Sequence, residues 1–231
     1  ADLAHQFNAA AARIETLMTS HKSLLANASH ELRSPLTRIR MGLEFMGDDP
    51  ASARAKAEIQ RNIAELDQLV DEILLASRLD SSEVDVGTVE SVDLIGLAAE
   101  ECARIDADLE MQADGPLEVQ GIAKLLRRAV RNLLENARRY SEGEITLSLS
   151  KQDGMALIRV EDHGPGVPKA QRERIFEKFY RLPGASERSG GVGLGLSLVR
   201  SIAERHGGTV DCEERRDGGS GASFVIRLPL A

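Results

Sequence analysis

The chain has 231 residues, of which 42% are hydrophobic, 29% charged and 3% aromatic, with no Trp and a formal net charge of −8 at neutral pH. That length suits one to two domains with a sizeable core. The acidic balance argues against nucleic acid as a partner, and no apolar run approaches the roughly 20 residues of a membrane span.

The first expected element is a long helix over about 3–46. Apolar residues recur at 3, 7, 10, 14, 17 and 24 and again at 32, 36, 39, 43 and 46, a mostly 3-4 spacing that predicts a packed helical seam. At 1.5 Å per residue such a rod reaches roughly 65 Å. His30 lies off the stripe, two positions from both Ala28 and Leu32, and so projects outward. Glu31 beside it can accept a proton, which equips the imidazole for nucleophilic attack. Pro35 leaves the Glu31 carbonyl without its helical donor, so the helix is expected to bend or loosen there. The 4-4 spacing through 28, 32 and 36 also interrupts the heptad rhythm at that point. Taken alone, a single outward histidine is usually just solvated. His21 falls where the seam predicts an apolar residue and reads as a register-setting polar position.

Gly47-Asp48-Asp49-Pro50 breaks the pattern. A second helix is expected over about 51–79, with Ile59, Ile63, Leu66, Val70 and Ile73 on its stripe. Two such helices make an antiparallel hairpin, and two hairpins complete a four-helix bundle, so a homodimer follows. Residues 81–90 are polar and aperiodic, as in a linker. Beyond it, short alternating runs at about 108–112, 117–120, 145–150, 156–161, 209–213 and 222–228 read as strands. Helical stretches lie at about 94–105, 122–139 and 194–206. Helices on one face of a mixed sheet predict a two-layer α+β domain. Cys102 and Cys212 lack CxxC or Cys/His spacing, which points to neither zinc nor a disulfide framework and fits a reducing compartment.

Within the 122–139 helix, Ile122, Leu126, Ala129, Val130, Leu133 and Ala137 form the expected buried stripe. Asn132 and Asn136, at i and i+4, share another face and can turn amide oxygens into one pocket. Such an oxygen suits Mg²⁺, which takes octahedral oxygen ligands and bridges nucleotide phosphates. Asp162-His163-Gly164-Pro165-Gly166 follows a strand. A carboxylate there can accept the exocyclic amine of adenine where guanine offers a carbonyl, which predicts ATP over GTP. Gly190-Gly191-Val192-Gly193-Leu194-Gly195 can turn backbone N–H groups toward phosphates at a helix start. The small and charged residues Pro183 to Ser189 before it suit a lid that excludes water. Lys178, Arg181 and Arg188 are candidate charge stabilisers.

Nearly the whole chain resembles the cytoplasmic portion of sensor histidine kinases of two-component systems, with a phosphoacceptor box and then five nucleotide-binding boxes in the family's order. His30 to Thr37 resembles the phosphoacceptor box, Asn132 to Tyr140 the N box, and Asp162 to Gly166 the first glycine box. Phe176 to Arg181 is similar to the F box and Gly190 to Leu196 to the second glycine box. Gly219 to Phe224 resembles the last glycine box, with Ala222 where the family commonly has Thr or Ser. The opening Asp2-Leu3-Ala4 through Phe7-Asn8 resembles the end of a HAMP signalling helix. Together with a start lacking Met, it leads to the expectation of a piece from a longer, membrane-anchored parent, this portion being cytoplasmic at the inner membrane.

The resemblance implies residues 1–20 as the end of that signalling helix, 21–80 as the dimerisation and phosphotransfer domain, and 91–231 as the catalytic domain. The latter would be an α/β sandwich of the gyrase, Hsp90, histidine kinase and MutL type. It implies ATP and Mg²⁺ as cofactors, with Asn136 ligating the metal. Asn132, Arg139, Tyr140, Asp162, Gly164, Gly166, Lys178, Gly191, Gly193, Leu194 and Gly195 would complete the nucleotide site. It implies phosphoryl transfer from ATP to His30, with Glu31 assisting, and onward to an aspartate of a response regulator. Ser34 stands where the family has Thr or Asn acting in dephosphorylation of the regulator. Two rivals are a gyrase-type ATPase, which typically carries Glu as its water-activating base where this chain has Asn132, and a non-catalytic dimeric scaffold.

Overall fold

The computed structural model describes residues 36, 37, 39–43, 50–79, 87–182 and 193–231. The expected sites His30, Glu31, Ser34 and Gly191, with His21, lie outside the described residues. The chain divides into two compact units, Ala1–Ser81 and Ser82–Ala231.

In the first unit, residues 36, 37 and 39–43 are helical, and α1 runs Pro50–Leu79. Pro50 opens α1, where a missing N–H costs nothing because the first turn has no partner to offer it. Leu36, Leu43 and Ile63 form a small buried cluster with Ile59 packed against it, and Arg40 pairs with Asp67 at 3.2 Å. Leu66, expected on the buried stripe, is instead 47% exposed, beside Ile39 at 48% and Met41 at 62%. Helices from one chain cover only the part of each stripe that they turn toward one another.

The second unit runs β1 (Glu90–Asp93), α2 (Leu94–Ile105), β2 (Asp108–Met111), β3 (Glu118–Gly121), α3 (Ala123–Tyr140), β4 (Thr146–Gln152), β5 (Met155–Glu161), α4 (Gly195–Arg205), β6 (Thr209–Glu213) and β7 (Ser223–Pro229). A mixed sheet has the order β2-β4-β5-β7-β6, parallel between β2 and β4 and antiparallel elsewhere. A separate antiparallel pair joins β1 to β3. The sequence reading misses β1, because Glu90-Ser91-Val92-Asp93 carries a single apolar residue, Val92, which its partner Val119 helps to bury.

Local chemistry fixes the turns. Asp93 caps α2 by accepting from Ile95 N–H at 2.9 Å and Gly96 N–H at 3.2 Å. The Asp153-Gly154 hairpin between β4 and β5 has positive φ at both residues, as the favoured two-residue turn requires. Leu147, Leu149, Ile158, Val160, Phe224 and Ile226 line one sheet face and are buried with Leu126, Val130, Leu133, Leu198 and Ile202 of the helices. Burial pushes Cys102 up to about 11 and Cys212 to about 12, so neither thiol is a nucleophile at neutral pH.

An ionic cluster joins α2 to α3. Glu101 is 2% exposed, and both its oxygens accept from Arg131 at 2.9 Å; Arg127 and Arg104 add contacts at 3.3 and 3.4 Å. The Arg131 hydrogen bonds, against the opposing pull of burial, hold this carboxyl below the usual range. At the far end of α3, His206 takes the Ile122 N–H on Nε2 at 3.0 Å, while Nδ1 lies 2.7 Å from the Ile202 carbonyl. The Nδ1–H tautomer of the neutral ring satisfies both bonds, and burial lowers the imidazole's proton affinity.

Candidate nucleotide site

Asp162 sits just past the end of β5 and is 3% exposed. Its Oδ1 accepts from Gly164 N–H at 2.8 Å and Ala222 N–H at 3.2 Å. Among the described residues no protein donor reaches Oδ2. Burial raises the Asp162 carboxyl above its usual range, while those two N–H groups and the positive charge of Arg215 pull it back. A buried carboxylate with one oxygen doubly engaged and the other unclaimed is a fixed acceptor for a polar hydrogen.

The glycines around it answer first to neighbouring backbone. A Cβ on Gly166, whose φ is +75°, would come within 2.7 Å of the Gly221 carbonyl, and one on Gly221 within 1.8 Å of the Asp162 carbonyl. Two chain segments therefore meet with no room for a side chain. Gly164 lies against the Tyr140 carbonyl at the end of α3.

Helix α3 supplies the asparagines, but they do not act alike. Asn132 is buried and its Nδ2 donates to the Gly195 carbonyl at 3.1 Å, tying α3 to the first residue of α4. Asn136 is half-buried, and its amide makes no hydrogen bond among the described residues. The two were expected on one face; the packing of α4 against α3 takes Asn132 into the core and leaves Asn136 at its margin. Arg139 is exposed and Tyr140 half-buried.

Leu194 is buried and precedes α4, whose first turn receives no side-chain cap among the described residues. Uncapped N–H groups and the positive end of a helix favour an anion. Gly193, at φ +79°, accepts the Phe179 N–H at 2.9 Å and packs so closely that a Cβ would lie 2.9 Å from the Tyr180 carbonyl. Nearby, Phe176 is buried edge-on to Phe224, whereas Phe179 is 61% exposed and Lys178 exposed. The structure thus brings together Asn132 with Gly195, Gly164 with Tyr140 and Asp162, and the 179–180 segment with Gly193.

Sequence reasoning misses the residues behind Asp162. Arg215 Nη1 donates to the Asp162 carbonyl at 3.0 Å, and the Ser220 hydroxyl donates to the Gly164 carbonyl at 2.9 Å. Ser141 accepts from Gly143 and His163 N–H groups. The only signal for the first two was a polar loop between two strands, which ordinarily means solvent.

Residues 121–231 match the family described as histidine kinase-, DNA gyrase B- and HSP90-like ATPase, and residues 20–82 match the His Kinase A (phospho-acceptor) domain. The sensor protein RstB of Escherichia coli (strain K12) is 37% identical over 228 residues, covering 94% of this chain and 51% of RstB. The sensor histidine kinase CpxA of the same strain is 34% identical over 231 residues, 97% of this chain and 50% of CpxA. The signal transduction histidine-protein kinase/phosphatase MprB of Mycobacterium avium (strain 104) is 34% identical over 222 residues, 89% of this chain and 42% of MprB. The chain spans about half the length of the first two of these relatives. Among solved structures, full-length ShkA in complex with AMPPNP aligns with a TM-score of 0.74 at 26% identity, over 90% of this chain and 46% of ShkA.

Proposed function

The chain belongs to the sensor histidine kinases of two-component systems, and from that premise we propose that it is the autophosphorylating part of a longer sensor, using ATP to phosphorylate its own His30. The observation that carries this reading is the union in one chain of a phospho-acceptor domain at 20–82, which includes His30, and an ATPase domain at 121–231. The site geometry supports ATP as the donor. Asp162 Oδ2 suits the 6-amino group of adenine, the uncapped start of α4 suits phosphate, and the unengaged amide of Asn136 suits a hydrated cation.

In this mechanism Asp162 orients the base, and the backbone around Gly193 to Gly195 holds the phosphates, with Arg139, Tyr140 and Lys178 at the periphery. Asn136 would hold Mg²⁺, which neutralises phosphate charge when bound. One imidazole nitrogen of His30 attacks the γ-phosphorus while the bond to the β–γ bridging oxygen breaks, releasing ADP. Glu31 accepts or orients the proton on the other nitrogen. The phosphoryl group then passes to an aspartate of a response regulator, and Ser34 positions water when the regulator is dephosphorylated. Exposed Ile39, Met41 and Leu66 fit the buried seam of a homodimeric four-helix bundle. No described helix is long and apolar enough to cross a membrane, and anchoring at the inner membrane belongs to the proposed parent.

The rival that merely hydrolyses ATP is less well supported. The position at which it typically carries a catalytic Glu holds Asn132, whose amide is committed to Gly195. The deciding experiment is incubation with γ-labelled ATP. Wild type should take up acid-labile label, and His30→Gln should lose it while binding ATP unchanged; normal labelling of that variant overturns the assignment.

A further inference from the structure

The loop between β6 and β7 grips the 162–164 turn at four points. Ala222 N–H donates to Asp162 Oδ1, Asp162 N–H donates to the Ala222 carbonyl at 3.0 Å, Ser220 donates to the Gly164 carbonyl, and Arg215 donates to the Asp162 carbonyl. Arg215 is the hub. Its side chain is 9% exposed; Nη1 also reaches the Ser220 carbonyl at 3.4 Å, and Nε and Nη2 fork onto Asp217 at 3.0 and 2.5 Å. Asp217 in turn accepts the Gly219 N–H at 2.9 Å. A surface arginine would not need this degree of burial, and a bidentate fork fixes a guanidinium as lysine cannot.

We propose that Arg215 is a positioning residue for base selectivity: it holds the backbone of Asp162 and supplies the positive charge that keeps its carboxylate an acceptor for the 6-amino group of adenine. This rests on the reading of Asp162 as the adenine acceptor. The chemistry is specific. A buried carboxyl that retained a proton would present an O–H donor to an amine donor, and the recognition would be lost. Arg215 opposes that outcome at a site where burial favours the proton. Gly221 allows it, since any Cβ there would strike both the Asp162 carbonyl and the Arg215 Cδ.

The test compares equilibrium binding of ATP with that of purine riboside triphosphate, which lacks the 6-amino group, using the full 231-residue chain. Wild type should prefer ATP by about tenfold, the scale of one charge-assisted hydrogen bond. Arg215→Gln should bring the ratio toward parity mainly by weakening ATP, and more so on acidification, because without the cation the carboxyl takes its proton at higher pH. A role confined to holding the loop would weaken both nucleotides alike and leave the ratio at its wild-type value, and that result overturns the proposal. Should Arg215→Gln fail to fold in a thermal melt, Arg215→Lys decides by the same ratio, a reduced value supporting and a wild-type value overturning. Asp162→Asn separates the two levels: if it keeps the preference, or wild type has none, the adenine reading fails and takes the role of Arg215 with it.

Discussion

The two units of this chain solve the burial problem differently. The sandwich unit closes over its own core: Leu133, Leu147, Leu149 and Phe224 are all buried within a single copy. Among the described residues, the helical unit leaves Ile39, Met41 and Leu66 largely in water around a small cluster of Leu36, Leu43, Ile63 and Ile59. A sheet covered by three helices can shield a whole apolar face, while amphipathic helices in one hairpin cannot. The difference teaches that the sandwich buries its core within one chain, whereas the exposed stripe of the helices is where the proposed second copy would pack.

The contrast can be broken most severely from inside the sandwich. Leu133→Ala should lower the stability of that unit by about 2–5 kcal/mol, since the site lies between packed helices and sheet and cannot collapse fully; chemical denaturation followed by ATP binding measures it. Next, Glu101→Gln leaves the Arg131 fork without its anion and should cost about 2–3 kcal/mol, discounted from a fully buried pair because the arginines keep partial access to water. The wild-type contribution has a definite pH signature. The folded carboxyl lies below the ordinary glutamate value of 4.5, so its stabilisation is present above that pH and is lost as pH falls through the folded value. Unfolding curves for the two proteins should therefore converge in acid.

A smaller effect sharpens the contrast from the other side. Leu66→Glu should leave ATP binding by the sandwich unit unchanged and weaken self-association by about 1–3 kcal/mol, read by sedimentation across a concentration series. A variant that stays as dimeric as wild type would show that the exposed stripe of α1 is not the contact. The smallest expected effect concerns His206. Its folded proton affinity is lowered from the ordinary imidazole value of 6.5, chiefly by burial, so its contribution is fully present above 6.5 and is lost as pH falls below it toward the folded value. His206→Gln should flatten the change in melting temperature over that window. The buried carboxyl of Asp162, shifted upward by burial, works in the opposite sense: its contribution is complete below the ordinary aspartate value of 3.8 and fades as pH rises through the folded value.

Much of the sandwich was legible in advance because its signals are local. Expected strands at 145–150, 156–161, 209–213 and 222–228 correspond to β4, β5, β6 and β7. Expected helices at 94–105, 122–139 and 194–206 correspond to α2, α3 and α4. The lapses fall where meaning came from a distant partner. Strand β1 needed β3 to make one apolar residue count. Glu101 carries no local signal, and its role comes from Arg131, thirty positions on. Asn132 and Asn136 shared a face by spacing, yet only the seating of α4 separated an amide bound to backbone from one left unengaged.

By itself the sequence determined the order of boxes, the periods of helix and strand, and hence the family, because each is written within a dozen consecutive residues. Tertiary structure alone decided that β2 runs parallel to β4, that the β6–β7 loop reaches back across 53 positions to the Asp162 carbonyl, and which oxygen of that carboxylate remains unclaimed. The physical reason is that periodicity records which face a residue turns inward, whereas a hydrogen bond depends on which other segment the folded chain has brought to meet it.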